Sequence, residues 1–330
     1  MAYTTIDKPT DYFETILYTG NGGTQSITSL DFAPDFVWLK DRDTTDWHWF
    51  NDTVRGATKT LHSNTNSAES TQATSITAFG TNGFTLGNDG SVNRNNENFV
   101  SWNWKETATA GFDIVAYTGN GSNRTISHSL SAVPSMMIVK NRDADEEWTV
   151  YHHKNTSAPA TDYLALNTTG ATTDNDNRWN DTVPTSSVFT LGTTGNVNAN
   201  GQKFIAYLFA EKQGYSKFGS YTGNGNANGT FTFTGFKPAF YMIKRTDTTG
   251  AWIIKDNLRP GFNVNGSYLV ANDNIAEATG SGNVASDELS NGFKIRGTSS
   301  ALNTSGGTYI YMAFAEQPFV SSTGIPTTAR

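Results

Sequence analysis

Short apolar runs alternate with polar stretches along this chain, and where a run is long enough to show a period, the period is two. The segments "NFVSWNW", "KFIAYLF" and "TYIYMAF" place Val100, Trp102 and Trp104, then Ile205, Tyr207 and Phe209, then Ile310, Met312 and Phe314 on one side. That alternation describes a strand with one face turned to a core. The residues between them, Ser101 and Asn103, Ala206 and Leu208, Tyr311 and Ala313, are mixed, which predicts a second face that is partly exposed. The segments "FETILYTG", "DFVWLKD" and "DWHWFND" are short, aromatic or β-branched, and bounded by Gly, Asn, Asp or Pro, and they also read as strands. No segment has the period and caps of an amphipathic helix.

The pattern recurs. The string "YTGNG" begins at Tyr18, Tyr117 and Tyr221, 99 and 104 residues apart. Pro34, Pro134 and Pro238 each precede an apolar run ending in a lysine, Lys40, Lys140 and Lys244. A tryptophan follows (Trp47, Trp148, Trp252), then "TLHSN", "YLALN" or "YLVAN", then "GFTLG", "VFTLG" or "GFKIRG". Each unit closes on Glu106, Glu211 or Glu316, 105 residues apart both times. So many features in one order at one step define an internal repeat. The division is a lead (1–15), three units (16–110, 111–214, 215–316) and a tail (317–330). About seven strands per unit predict an all-β protein of three tandem antiparallel sandwiches or jelly rolls.

Composition narrows the class. Charged residues are 16% of the chain, against roughly 25% in an ordinary soluble domain, and Asn alone supplies about a tenth. A net charge of −7 argues against nucleic acid or an anionic membrane as partner. Cysteine is absent, so no disulfide or thiolate metal site supports the fold. No apolar stretch is long enough to insert in a membrane, and the start lacks the features of a signal peptide, so synthesis in a cytoplasm is expected.

Candidate chemistry is sparse. After "YTGNG" come segments that look like strands, not helix N-termini, so these glycines predict tight turns with φ > 0, not a phosphate cradle. Trp47 and Trp49 are placed on one strand face, with Trp49 matching Val150 and Ile254, and most tryptophans are read as core. Trp179, in the loop "DNDNRWNDT", has no counterpart and is expected to be exposed. The repeated Lys and Glu suit structural anchors better than an acid–base pair, and His152 and His153 point to opposite strand faces, unsuited to one metal. No catalytic residue, metal site or cofactor is expected. The Asn-rich loops before each closing strand offer paired donors and acceptors of the kind that suit sugar hydroxyls. Asn93, Asn95, Asn198, Asn200 and Asn303, with Trp179, are the expected ligand contacts.

These residues resemble a family of marine bacteriophage virion proteins. The resemblance rests on "AYTTIDKPTDYFETILYTGNG" at the start, Pro34–Arg42, Ser290–Gly297, Tyr309–Glu316, and "PFVSSTGIPTTAR" at the end. It covers essentially the whole chain and implies a concanavalin- or laminin-G-like jelly roll as the unit. It further implies a virion component assembled in the host cytoplasm, and no particular reaction. A tail fibre or appendage, in contact with other virion proteins and with host surface polysaccharide, is the expected role; a capsid-decoration, head-fibre or tail protein that stabilises the particle is the alternative, and a polysaccharide depolymerase a remote one. A homo-oligomer, a trimer among the forms, is expected. Docking onto the particle is expected through the lead and tail, at Tyr3, Ile6, Tyr12, Phe319 and Ile325.

Overall fold

A computed structural model describes residues 2–327, so Met1 and the last three residues of the predicted tail lie outside it. The chain is all-β, built from several antiparallel sheets with eight or nine strands per unit among the described residues. The helices are single turns, and none is long and apolar enough to cross a membrane.

Each unit repeats one main sheet. An opening strand (Phe13–Thr19, Phe112–Thr118, Ser216–Thr222) pairs with a closing strand (Asn98–Trp104, Lys203–Phe209, Thr308–Pro318). The closing strand pairs in turn with a lysine strand (Phe36–Asp41, Met136–Asn141, Phe236–Arg245), and that with a fourth strand (Trp49–Asp52, Thr149–His152, Trp252–Asp256). A smaller sheet of two or three strands covers one face of each main sheet. The predicted strand "DWHWFND" begins only at Trp49.

The face carrying Val100, Trp102, Trp104 and their counterparts turns inward as expected, but the core it meets is shared. Residues of all three units, among them Trp38, Trp104, Tyr207, Phe209, Phe240 and Phe314, form a single cluster. The Trp104 ring lies 6.4 Å from Phe209 and 5.6 Å from Phe314, contacts that join all three units. Burying a large apolar side chain contributes about 1.5–3 kcal/mol, so this common core holds the units to one another. The opposite face is not partly exposed. Ser101, Asn103, Ala206, Leu208, Tyr311 and Ala313 are all buried. In units 2 and 3 that face packs under the small sheet in a core of the unit's own. The main sheets are therefore buried on both faces, which is why their strands carry so few charges.

The ends of the chain join this body. Ile6 is buried in the common core, Tyr3 donates its hydroxyl to the Gly235 carbonyl, and Tyr12 stacks edge-on against Tyr215. The Ser322 amide donates to the Asp7 carboxylate, tying lead to tail. Tyr3, Ile6 and Tyr12 are thus engaged inside the protein and are not a free docking arm. Phe319 is half-buried and Ile325 is exposed.

Candidate functional site

The three YTGNG strings form equivalent turns at the far end of the opening strands. Gly22, Gly121 and Gly225 have φ near +70°, as the turn reading required. At Gly20, Gly119 and Gly223 a Cβ would collide with the carbonyl of Arg94, Ala199 or Thr304, so side chains are excluded there by contact. The tyrosine of each string donates its hydroxyl to a carbonyl in the loop before the closing strand: Val92, Val197 or Leu302.

That loop contains the predicted ligand asparagines, and their placement corrects the expectation. Asn93, Asn198 and Asn303 are fully buried. The Asn198 Oδ1 accepts from the Asn120 amide, while its Nδ2 donates to Ser122 O at 2.7 Å and Gly192 O at 2.8 Å. Asn93 and Asn303 repeat this wiring to Asn21, Gly23 and Gly87, and to Asn224, Asn226 and Gly297. An amide whose donors and acceptor are consumed has nothing left for a sugar. Asn95 and Asn200 do stand at exposed loop tips. Trp179 is buried, packed against Tyr151 with its indole donating to Asp162 O.

The tryptophan column is displaced by one residue in unit 1. Strand register aligns His48, not Trp47, with Trp148 and Trp252, and Trp49 with Thr149 and Ile253. Trp47 lies outside the strand and is 47% exposed. The aligned side chains stitch the units in a ring. His48 Nε2 meets Val270 O at 3.0 Å, Trp148 donates to His62 O at 2.9 Å, and Trp252 donates to Ala165 O at 2.9 Å. His48 Nδ1 also accepts from the Trp38 indole at 2.9 Å, so its tautomer is fixed by its two partners. Units 2 and 3 have Ile138 and Met242 in place of Trp38, need no acceptor there, and use tryptophan.

The remaining titratable repeats are structural as well. Lys40, Lys140 and Lys244 are buried and donate to two carbonyls each, and burial lowers each amine to about 8. The closing glutamates lie at the other end of the strands. Burial, with Asp113 alongside, raises Glu106 to about 7, while Glu211 and Glu316 pair with Lys217 and Lys237. His152 and His153 spend a ring nitrogen each on the carbonyls of Tyr311 and Phe218. Among the described residues no group of three or more His, Asp or Glu side chains converges to hold a metal. Unit 3 alone buries a Glu288–Tyr241–Asn265 network with Lys255 nearby; burial raises the glutamate and lowers the lysine to about 7.

The feature that sequence reasoning missed lies where the units meet. At the junction of units 1 and 2, Arg55 bonds Asp52 at 2.5 Å and reaches Glu69 at 3.3 Å, and Arg142 bonds Glu69 at 2.8 Å. At the junction of units 3 and 1, Arg259 bonds Asp256 at 2.5 Å, and Glu277 lies between Arg259 and Arg42. Backbone bonds set the equivalence: Glu69 N to Arg142 O, Glu277 N to Arg42 O, and, at the junction of units 2 and 3, Thr172 N to Thr246 O. The third junction therefore has Asn155, Thr172 and Thr246 where the others have Arg, Glu and Arg. In their place lies a cleft of about 460 Å³ with Ser220, Thr222 and Thr308 also in its walls. The signal was present in the sequence: Glu69, Thr172 and Glu277 each fall five residues after the repeated Asn64, Asn167 and Asn272, and "KRTD" breaks the "RD" of the other units.

Fold and junctions define an all-β protein of several antiparallel sheets whose repeated main sheets share one core. Residues 8–318 match the family described as Domain of unknown function (DUF7483), and the chain belongs to that family. A comparison with curated proteins finds no match.

Proposed function

We propose that this chain is a non-catalytic structural component of a bacteriophage particle, a tail-fibre or appendage protein that contributes to adhesion on host-surface glycan. The observation that carries the reading is the polarity of the body. Lead and tail meet at one end, through Asp7 and Ser322, while the three glycine turns with Asn95 and Asn200 stand at the other end of the opening strands. Such a body is tethered at one end and presents polar, asparagine-rich loops from the other. In this reading each unit, a main sheet under a smaller one, is a jelly-roll sandwich of the lectin kind. Other virion proteins hold the tethered end, the protein assembles in the host cytoplasm as a homo-oligomer, and weak loop contacts gain strength from multivalency.

A second reading, a capsid-decoration or tail protein that stabilises the particle without touching a host, is favoured by the side chains exposed on unit 3. Phe231 and Phe233 project from its small sheet at 43% and 55% exposure, and Phe233 borders the Gly235 that receives Tyr3. Gold-labelled antibody on intact particles separates the readings, since adhesion requires label on a tail appendage and decoration requires label on the capsid. Purified protein that fails to bind host cells in a pull-down would sink the adhesion reading.

A further inference from the structure

We propose that the cleft between units 2 and 3 is a binding site for a neutral saccharide, opened by three coordinated departures from the repeat. The inference deepens the adhesion reading and rests on it. At the other two junctions an Arg–Glu–Arg arrangement fills the equivalent space, with the arginine nearest the core fully buried. All three positions change together here, to Asn155, Thr172 and Thr246, and the Asp52 and Asp256 position becomes His152. Removing one member of a buried ion network would strand its partners at a cost of about 3–5 kcal/mol. Removing every member leaves no stranded charge, only empty volume bordered by short polar groups.

Those groups have the chemistry of a polyol site. Asn155 is 7% exposed and lines the cleft; its Oδ1 accepts from the Thr172 hydroxyl at 2.7 Å, while its Nδ2 finds no partner among the described residues. A buried amide donor left without a partner is costly unless a ligand or water completes it. Thr246 Oγ1 lies 2.7 Å from Thr308 Oγ1, so hydroxyls that can donate or accept face the same space. The two charged residues of the lining, Lys154 and Asp247, are of opposite sign, and Asp247 is already paired with Arg245, which favours an uncharged ligand.

The test is saturation-transfer NMR with methyl glycosides of glucose, galactose, mannose, N-acetylglucosamine and rhamnose. It compares the intact chain, the variant Thr172→Glu/Thr246→Arg, which transplants the charge-neutral pair of the other junctions, and the milder Thr246→Val. Transfer to at least one glycoside is expected from the intact chain. The double variant should abolish it, and Thr246→Val should weaken it about tenfold, the loss of one or two hydrogen bonds. No transfer to any glycoside, or transfer that survives both variants, overturns the site. Host-cell binding measured in parallel distinguishes the two levels. Cell binding unaffected by the double variant leaves adhesion standing without this site. Glycoside binding without any cell binding leaves the site standing and removes adhesion.

Discussion

Replacing Asn198 by alanine should destabilise the protein strongly, whereas replacing Asn200, two residues along the same loop, should do almost nothing. The Asn198 side chain makes three hydrogen bonds, to Asn120 N, Ser122 O and Gly192 O. Asn120 and Ser122 are exposed, so water can recover those two groups, and each lost bond costs roughly 1 kcal/mol. Gly192 is buried, and a carbonyl stranded there costs about 1–3 kcal/mol. The expected total is about 3–5 kcal/mol. At about 2.1 cal/mol/K per residue, 330 residues unfold with an entropy of roughly 0.7 kcal/mol/K, so Tm should fall by about 4–7 °C. Asn200→Ala, an exposed change, should stay within about 0.5 kcal/mol, under one degree. Asn198→Asp should be worse than alanine, because it faces the Gly192 and Ser122 carbonyls with an acceptor. Scanning calorimetry of the three variants decides it. If Asn198→Ala and Asn200→Ala unfold together, the buried asparagines are not the braces described above.

Unit 2 alone (residues 111–214) should not fold, since isolation uncovers Ile114, Met136, Ile138, Trp148, Tyr207 and Phe209; a dispersed NMR spectrum from the excised unit would contradict the shared core. Asp52→Ala should cost about 3–5 kcal/mol in urea unfolding, because it takes the closer carboxylate from the buried Arg55 guanidinium and leaves it with Glu69 at 3.3 Å. Stability should fall as pH drops below about 6.5. Burial holds His48 well below that value, His62 at about 4 and His152 at about 3, so in that window the unfolded chain takes up protons that the folded chain refuses; the raised carboxyls of Glu106 and Glu288 work the other way, but they are outnumbered by the histidines. Urea midpoints at pH 7 and pH 5 measure this. His152→Gln should flatten the slope, and a midpoint that rises on acidification would refute the sign.

The sequence made the repeat, the strands and the inward column legible, because identical spacing in three copies turns each position into a comparison. What it hid was the partner of each face. Ser101 and Asn103 look like surface residues, yet a small sheet covers them, and polarity alone does not reveal a cover made by residues elsewhere in the unit. Asn93 and its counterparts look like ligand groups for a related reason. A buried amide that braces a loop and an exposed amide that binds a sugar have the same composition and the same loop context. A tryptophan-to-tryptophan match misplaces Trp47 because it stands seven residues after its lysine where Trp148 and Trp252 stand eight after theirs; the lysine-to-strand register is the same in all three units, and the true counterpart is His48.

Departures from an internal repeat are informative when they come with their neighbours. The Trp102 indole donates to Asp256 and the Tyr207 hydroxyl to Asp52, but Met312 has no such donor, and the position facing it is His152, not aspartate. Trp38 brings a donor where the other units have none, and His48 replaces tryptophan to accept it. Each exception is thus answered across a contact, which marks it as compatible with the fold. Asn155, Thr172 and Thr246 answer one another in the same way, yet their combined effect is to remove volume and charge from a place where two sister junctions retain both. Compensation alone would be satisfied by packing the space with apolar side chains, which replace buried ion networks at little or no cost. Small hydroxyl and amide groups instead leave the cleft open and polar, and that choice is the reason to look for a ligand at this junction before any other.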